Sequence, residues 1–164
     1  MDPSNRPKPP TRPKPWTSVE LDTFCQWLST GPTAAPDWLE VVVTLMAEGL
    51  RLGEVLALYA TDINPDSSNI RVERTSTRNG TTTLPKTGGR TVDFGHRSAN
   101  VLAPYLSPIT DDGSLETVLA NAAGPYSAMT NGLVFRNAVN AFNRQHTDQL
   151  PLISLHQLRH TTGR

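Results

Sequence analysis

Apolar residues recur at helical spacing through the first third of the chain. Thr17-Ser18-Val19-Glu20 has the form of a capping box, Thr17 as N-cap and Glu20 reaching back to it. Leu21, Phe24, Cys25 and Leu28 follow at i, i+3, i+4 and i+7, which predicts one amphipathic helix, ended by Gly31-Pro32. Pro36 opens a second helix through Trp38, Leu39, Val42, Val43, Leu45 and Met46, whose broad apolar surface predicts burial on most sides. Gly49 has the place of a left-handed cap. A short third helix is expected from Gly53 to Tyr59, then a turn over Asp62-Ile63-Asn64-Pro65-Asp66.

The period then changes to two. Asn69–Ser76 reads as a strand, Arg78-Asn79-Gly80 supplies an Asn-Gly hairpin turn, Thr81–Leu84 returns, and Thr91–Phe94 forms a third strand after Gly88-Gly89. A helix is expected near Ser98–Leu106. Residues 107–132 read as loop with one short helix around Leu115–Ala122, and Leu133-Val134-Phe135 as a short buried segment. Asn137–Gln149 and Leu155–Thr162 read as two more helices. Helices, a small three-stranded antiparallel sheet and helices again make a mainly helical α+β domain.

Composition narrows this picture. Residues 1–15, MDPSNRPKPPTRPKP, read as a disordered, proline-rich basic tail, which leaves 16–164 as the domain. No apolar run reaches the roughly 18 residues of a membrane-spanning helix, and residues 1–15 contain no secretory h-region. A cytoplasmic protein is the simple expectation. The single cysteine, Cys25, excludes an internal disulfide and a multi-cysteine metal site, and reads as a small core residue. Net charge is zero, but its distribution is uneven. Residues 71–97 contain Arg71, Arg74, Arg78, Lys86, Arg90 and Arg97 against Glu73 and Asp93, whereas residues 98–130 contain no Lys or Arg. Such asymmetry favours a phosphate-attracting face, although ordinary charge scatter produces similar patterns.

Four basic residues stand in suggestive contexts. Arg51 lies where two helices meet, in Gly49-Leu50-Arg51-Leu52-Gly53-Glu54, and Lys86 lies between strands, in Pro85-Lys86-Thr87-Gly88-Gly89-Arg90. His156 and Arg159 share Leu155-His156-Gln157-Leu158-Arg159-His160, where i, i+3 spacing puts them on one face. Singly, each reads equally well as a surface or salt-bridge residue. Together and in this order, GLRLGEVLAL, a strand pair carrying K-T and R-T-V, then VF and LHQLRHT resemble the catalytic domain of the tyrosine recombinase (phage integrase) family, from about Trp16 to Arg164.

The resemblance implies site-specific DNA recombination or integration. A tyrosine hydroxyl attacks a phosphodiester of double-stranded DNA, leaving a 3′-phosphotyrosine and a free 5′-hydroxyl. It implies phosphate binding by Arg51 and Arg159, whose guanidinium forks suit a charged pentavalent phosphate. His156 would assist proton transfer, Lys86 would protonate the leaving 5′-oxygen, Glu54 would support the first arginine, and His160 would be a structural companion. No cofactor or metal is implied; the partners would be DNA and other recombinase protomers.

The sequence also departs from that family. No tyrosine follows Arg159, since Tyr59, Tyr105 and Tyr126 all precede it, and only a short tail precedes the catalytic helices. The expectation is therefore a C-terminally incomplete catalytic domain, such as a prophage remnant or frame-shifted gene would encode, inactive in cis and weak in DNA affinity. An apolar surface at Leu152, Ile153, Leu155 and Leu158 is expected to be exposed. The alternatives are a non-catalytic DNA-binding protein competing with a full-length integrase, and a metal enzyme. His156 and His160 have the i, i+4 spacing of a zinc pair, but Gln157 stands where a zincin needs glutamate.

Overall fold

The computed structural model describes residues 14–76, 82–85, 88–106 and 128–161. Helix α1 spans Ser18–Ser29, α2 Trp38–Ala47 and the single-turn α3 Leu52–Leu56. Strands follow at Ile63–Asn64 (β1), Asn69–Val72 (β2), Thr75–Ser76 (β3), Thr82–Thr83 (β4) and Arg90–Asp93 (β5). Helix α4 is His96–Leu102, α5 is Ala128–Gln145, and a 3-10 helix closes the sequence at Leu155–His160.

The capping box forms as its spacing predicts. The Thr17 hydroxyl accepts from the Glu20 amide at 3.2 Å, and the Thr17 amide donates to the Glu20 carboxylate at 2.9 Å. Leu21, Phe24, Cys25, Trp27 and Leu28 then face the core. Helix α2 is buried along almost its whole length because α1, α3, α4, α5 and the 3-10 helix all pack on it. One end of the core is an aromatic cluster. Trp16 meets Phe24 edge-on at 5.1 Å, and Phe24 meets Phe135 at 5.8 Å and Phe142 at 6.0 Å. The indole N–H groups find acceptors at the cluster's rim: Trp16 donates to the Pro151 carbonyl at 2.9 Å, Trp27 to the Gln145 side chain at 3.0 Å.

The sheet differs from the expected one in its membership. The three-stranded antiparallel sheet has the order β1-β2-β5, and β3 pairs with β4 in a separate two-stranded ladder. The segment around Ile63, expected as turn, is β1, and the long strand expected over Asn69–Ser76 is broken between Val72 and Thr75. Burial explains the choice. Register aligns Ile63, Ile70 and Val92 across three strands, so one apolar row seals the sheet against the helices.

Three further expectations change. Leu133-Val134-Phe135 and the following helix form one continuous α5, which buries Phe135, Ala138, Val139 and Phe142 along a single stripe. Its Asn and Gly residues weaken the helical signal in sequence, and packing of that stripe outweighs them. The last helix is 3-10 rather than α and ends at His160. Ile153, Leu155 and Leu158 are buried against α2 and α5, so the apolar surface expected there is not exposed; Leu152 (49% exposed) and Leu133 (57%) remain in water. The predicted helix at Leu115–Ala122, the tail at 1–13 and the Asn79-Gly80 turn lie outside the described residues. Among the described residues no helix is long and apolar enough to cross a membrane.

Gly53 sets how closely α3 approaches β3. A Cβ on it would sit 2.4 Å from the Thr75 hydroxyl oxygen and 2.9 Å from the Ser76 carbonyl oxygen. The hydroxyl can rotate away, but the carbonyl cannot. Gly53→Ala is expected to destabilise the protein by about 1–2 kcal/mol despite alanine's better helix propensity, with overpacking as the cause. Urea unfolding of G53A and of G53A/T75A checks this; the double variant should recover little, because the Ser76 carbonyl remains.

Candidate phosphate-binding site

The site grows out of the junction between α2 and α3. Helix α2 ends in a Schellman motif: the Gly49 amide donates to Met46 at 3.0 Å and the Leu50 amide to Leu45 at 3.3 Å. This requires Gly49 at φ 111°, a conformation that a side chain resists. Leu50 is then fully buried, and Arg51 enters an extended conformation as N-cap of α3. The Arg51 amide donates to Glu54 Oε1 at 2.8 Å. Glu54 is 2% exposed, a carboxylate inside the fold.

The cation that answers this carboxylate comes from the sheet. Arg90 Nη1 meets Glu54 Oε2 at 2.6 Å and Nη2 meets Oε1 at 2.8 Å, a two-pronged pair. Burial pushes the Glu54 carboxyl up, but the Arg90 fork and the Arg51 amide outweigh it and hold the group below the usual carboxylate range. The sequence places Arg159 more than a hundred residues later, yet its Nε donates to the Gly49 carbonyl at 3.0 Å. Arg90 Nη2 approaches the same oxygen at 3.5 Å, long for a hydrogen bond.

His156 sits one 3-10 turn before Arg159, with its exposed ring 5.8 Å from that of His160. Lost solvent on its protein side, then the charges of Arg159, His160 and Arg51, hold it below the ordinary histidine value. Arg159 is lowered by burial first and by Arg51 next, against the pull of Glu54. These mutual effects place Arg51, His156, Arg159 and Glu54 in one electrostatic cluster. Among the described residues no hydrogen bond or ion pair engages the Arg51 guanidinium. Two guanidiniums and an imidazole beside a neutralised carboxylate suit a phosphate group.

Of the residues singled out in sequence, Arg51, Glu54, His156, Arg159 and His160 come to this one region, and Lys86 lies outside the described residues. Glu54 supports Arg51 through its main-chain amide, while the carboxylate's fork goes to Arg90. Arg90 is the residue that sequence reasoning missed. Sequence offers only a partial signal: period two puts Arg90 on the same strand face as Val92, and the structure makes that face the half-buried one. Tyr59 lies under the Arg74 guanidinium, 4.2 Å from its ring centre, with Asp62 pairing that arginine. Tyr105 lines a cavity with Asp37 and Glu40 at the start of α2, the opposite end of that helix from Gly49, and burial together with those two carboxylates raises its hydroxyl. Tyr126 lies outside the described residues, and among the described residues no group of three His, Cys, Asp or Glu could hold a metal ion.

No family model matches the sequence, and no curated protein matches it. Solved structures do match. The Tn1549 transposon integrase, in complex with a circular intermediate DNA, superposes with a TM-score of 0.74 at 23% identity, covering 98% of this chain and 55% of that one. The XerA recombinase gives 0.61 at 19% identity, with 94% and 49% covered. The lambda integrase (residues 75–356) bound to DNA gives 0.53 at 19% identity, with 93% and 50% covered. The chain has the tyrosine recombinase catalytic fold. It spans about half the length of the recombinase structures it matches. The recombinase fold agrees with the resemblance carried by GLRLGEVLAL and LHQLRHT, and with the mainly helical domain and small antiparallel sheet expected from the sequence.

The electrostatic cluster gives a measurable signature. His156 is expected to titrate below the ordinary histidine value, and therefore to be neutral at pH 7. Removing a neighbouring cation with Arg159→Gln should raise it. Proton NMR across pH 4–9 reads the ring directly; a His156 titration at or above the free-histidine value would contradict the cluster.

Proposed function

We propose that these 164 residues form the phosphate-binding part of a DNA strand-transfer centre, used in site-specific recombination or integration in the cytoplasm. The observation that carries this is that Arg159, from a distant part of the sequence, donates to the Gly49 carbonyl two positions before Arg51, close enough for Arg51 to act electrostatically on Arg159 and on His156. Arg51 and Arg159 each offer parallel donors to the non-bridging oxygens of a phosphodiester, where negative charge collects as the phosphorus becomes five-coordinate. Neutral His156 accepts the proton of the attacking tyrosine hydroxyl as the new O–P bond forms. Lys86 gives a proton to the leaving 5′-oxygen, so the products are a 3′-phosphotyrosine and a free 5′-hydroxyl.

Another recombinase protomer can supply the attacking tyrosine. The second reading is a non-catalytic DNA-binding protein that competes with a full-length integrase.

Fluorescence anisotropy with a DNA duplex tests the phosphate site. Affinity should fall with salt at a slope of about −0.9 per phosphate neutralised. Arg51→Ala and Arg159→Ala should each weaken binding by about tenfold, the loss of one charge-assisted hydrogen bond of about 1.5 kcal/mol. Unchanged binding in both variants would sink the reading. The 164 residues alone should cut no DNA. Strand cleavage on mixing with a tyrosine-bearing recombinase whose own first arginine is disabled would support the catalytic reading, and binding without such cleavage the competitor.

A further inference from the structure

We propose that Arg90 is a positioning residue that sequesters the buried Glu54 carboxylate and thereby leaves Arg51 and Arg159 both free for phosphate. The inference rests on the phosphate-binding reading and concerns how that site keeps its charge. Glu54 is 2% exposed, so water cannot answer its charge, and a buried carboxylate without a cation is costly. Three guanidiniums are within electrostatic reach: Arg51 and Arg90 act on Glu54, and Glu54 acts on Arg159.

If Arg51 or Arg159 formed the pair, that arginine would lose its fork to the protein. Arg90 takes the role instead. It occupies both carboxylate oxygens, and the remaining acceptor capacity of Oε1 is filled by the Arg51 amide at 2.8 Å. Arg90 arrives from β5, whereas the phosphate donors come from the α2–α3 junction and the 3-10 helix. Its side chain is 30% exposed, so its own desolvation is partial. Among the described residues the site thus contains three guanidiniums and one carboxylate, and the pairing leaves Arg51 and Arg159 without a carboxylate partner. Arg159 commits its Nε to Gly49, which fixes the plane of the guanidinium without neutralising it.

The test compares Arg90→Gln with the double variant Glu54→Gln/Arg90→Gln, which has neither charge. Two readouts are used on the full chain: duplex affinity by anisotropy, and the His156 titration by NMR without DNA. In R90Q the released Glu54 should turn to Arg51 or Arg159. Duplex affinity should fall about tenfold, and His156, which feels those two arginines, should titrate higher than in the wild type. In the double variant both should return towards wild type, affinity to within about threefold.

A double variant as weak as R90Q, or an R90Q that loses affinity with His156 unmoved, would mean that Arg90 meets DNA itself and would overturn the proposal. An R90Q that matches wild type in both readouts would overturn it as well. If R90Q fails to fold, Arg90→Lys decides, because lysine keeps a cation beside Glu54. It should leave both readouts near wild type, and a tenfold loss together with a His156 shift would count against sequestration. If the wild-type chain binds no duplex, the phosphate-binding reading fails, while the His156 titrations still judge Arg90.

Discussion

A carboxylate out of water has few choices, and the arrangement of the whole site follows from the one that Glu54 makes. Its two oxygens accept the Arg51 amide and the Arg90 fork, so one side chain joins the start of α3 to the edge of the sheet. The neighbouring Gly49 carbonyl does the same for the end of the chain by accepting from Arg159. Two acceptors five positions apart, the Gly49 carbonyl and the Glu54 carboxylate, thus tie helix, strand and 3-10 turn together. Neither would be in place without the Schellman turn at Gly49, which frees that carbonyl from α2 and aims Arg51 outward.

Zero net charge is no obstacle to an anion site built in this way. What a phosphate meets is the local field, set by a few partly desolvated groups, and the sum over distant exposed residues is screened within about 8–10 Å in physiological salt. Acidic partners elsewhere are spent on structure. Asp22 pairs Arg97 between α1 and α4, Asp62 pairs Arg74, and Glu48 accepts from Ser98 at the start of α4. Asp22 and Asp62 thus each neutralise an arginine other than Arg51 and Arg159.

The parts of the fold legible in sequence are those whose signal is local. Helix α1 announces itself by a capping box and an apolar stripe, and α2 by a proline start and a glycine stop; both form close to where that pattern puts them. The sheet was legible as a sheet but not in its pairing. Strands of two to four residues have too little alternation to reveal partners, and the choice falls to the row of Ile63, Ile70 and Val92, which exists only after the chain has folded. Helix α5 was cut short by its asparagines and Gly132 because propensity is read locally and burial is not. Arg51, Glu54, His156 and Arg159 were visible through motif context. Arg90 was hidden because its importance lies in a contact 36 residues away with a side chain that only burial makes demanding.

The bond from the Trp16 indole to the Pro151 carbonyl spans 135 positions of sequence. It joins the entry to α1 with the segment that leads into the 3-10 helix, so the helix bearing His156 and Arg159 is anchored beside the aromatic end of the core. During synthesis Gly49, Arg51 and Glu54 emerge early, and Arg159 is added more than a hundred residues later, after β5, α4 and α5. Loop closure over such distances is slow compared with local helix formation. A nascent chain therefore can form helices and part of its apolar core before Arg159 exists to reach the Gly49 carbonyl.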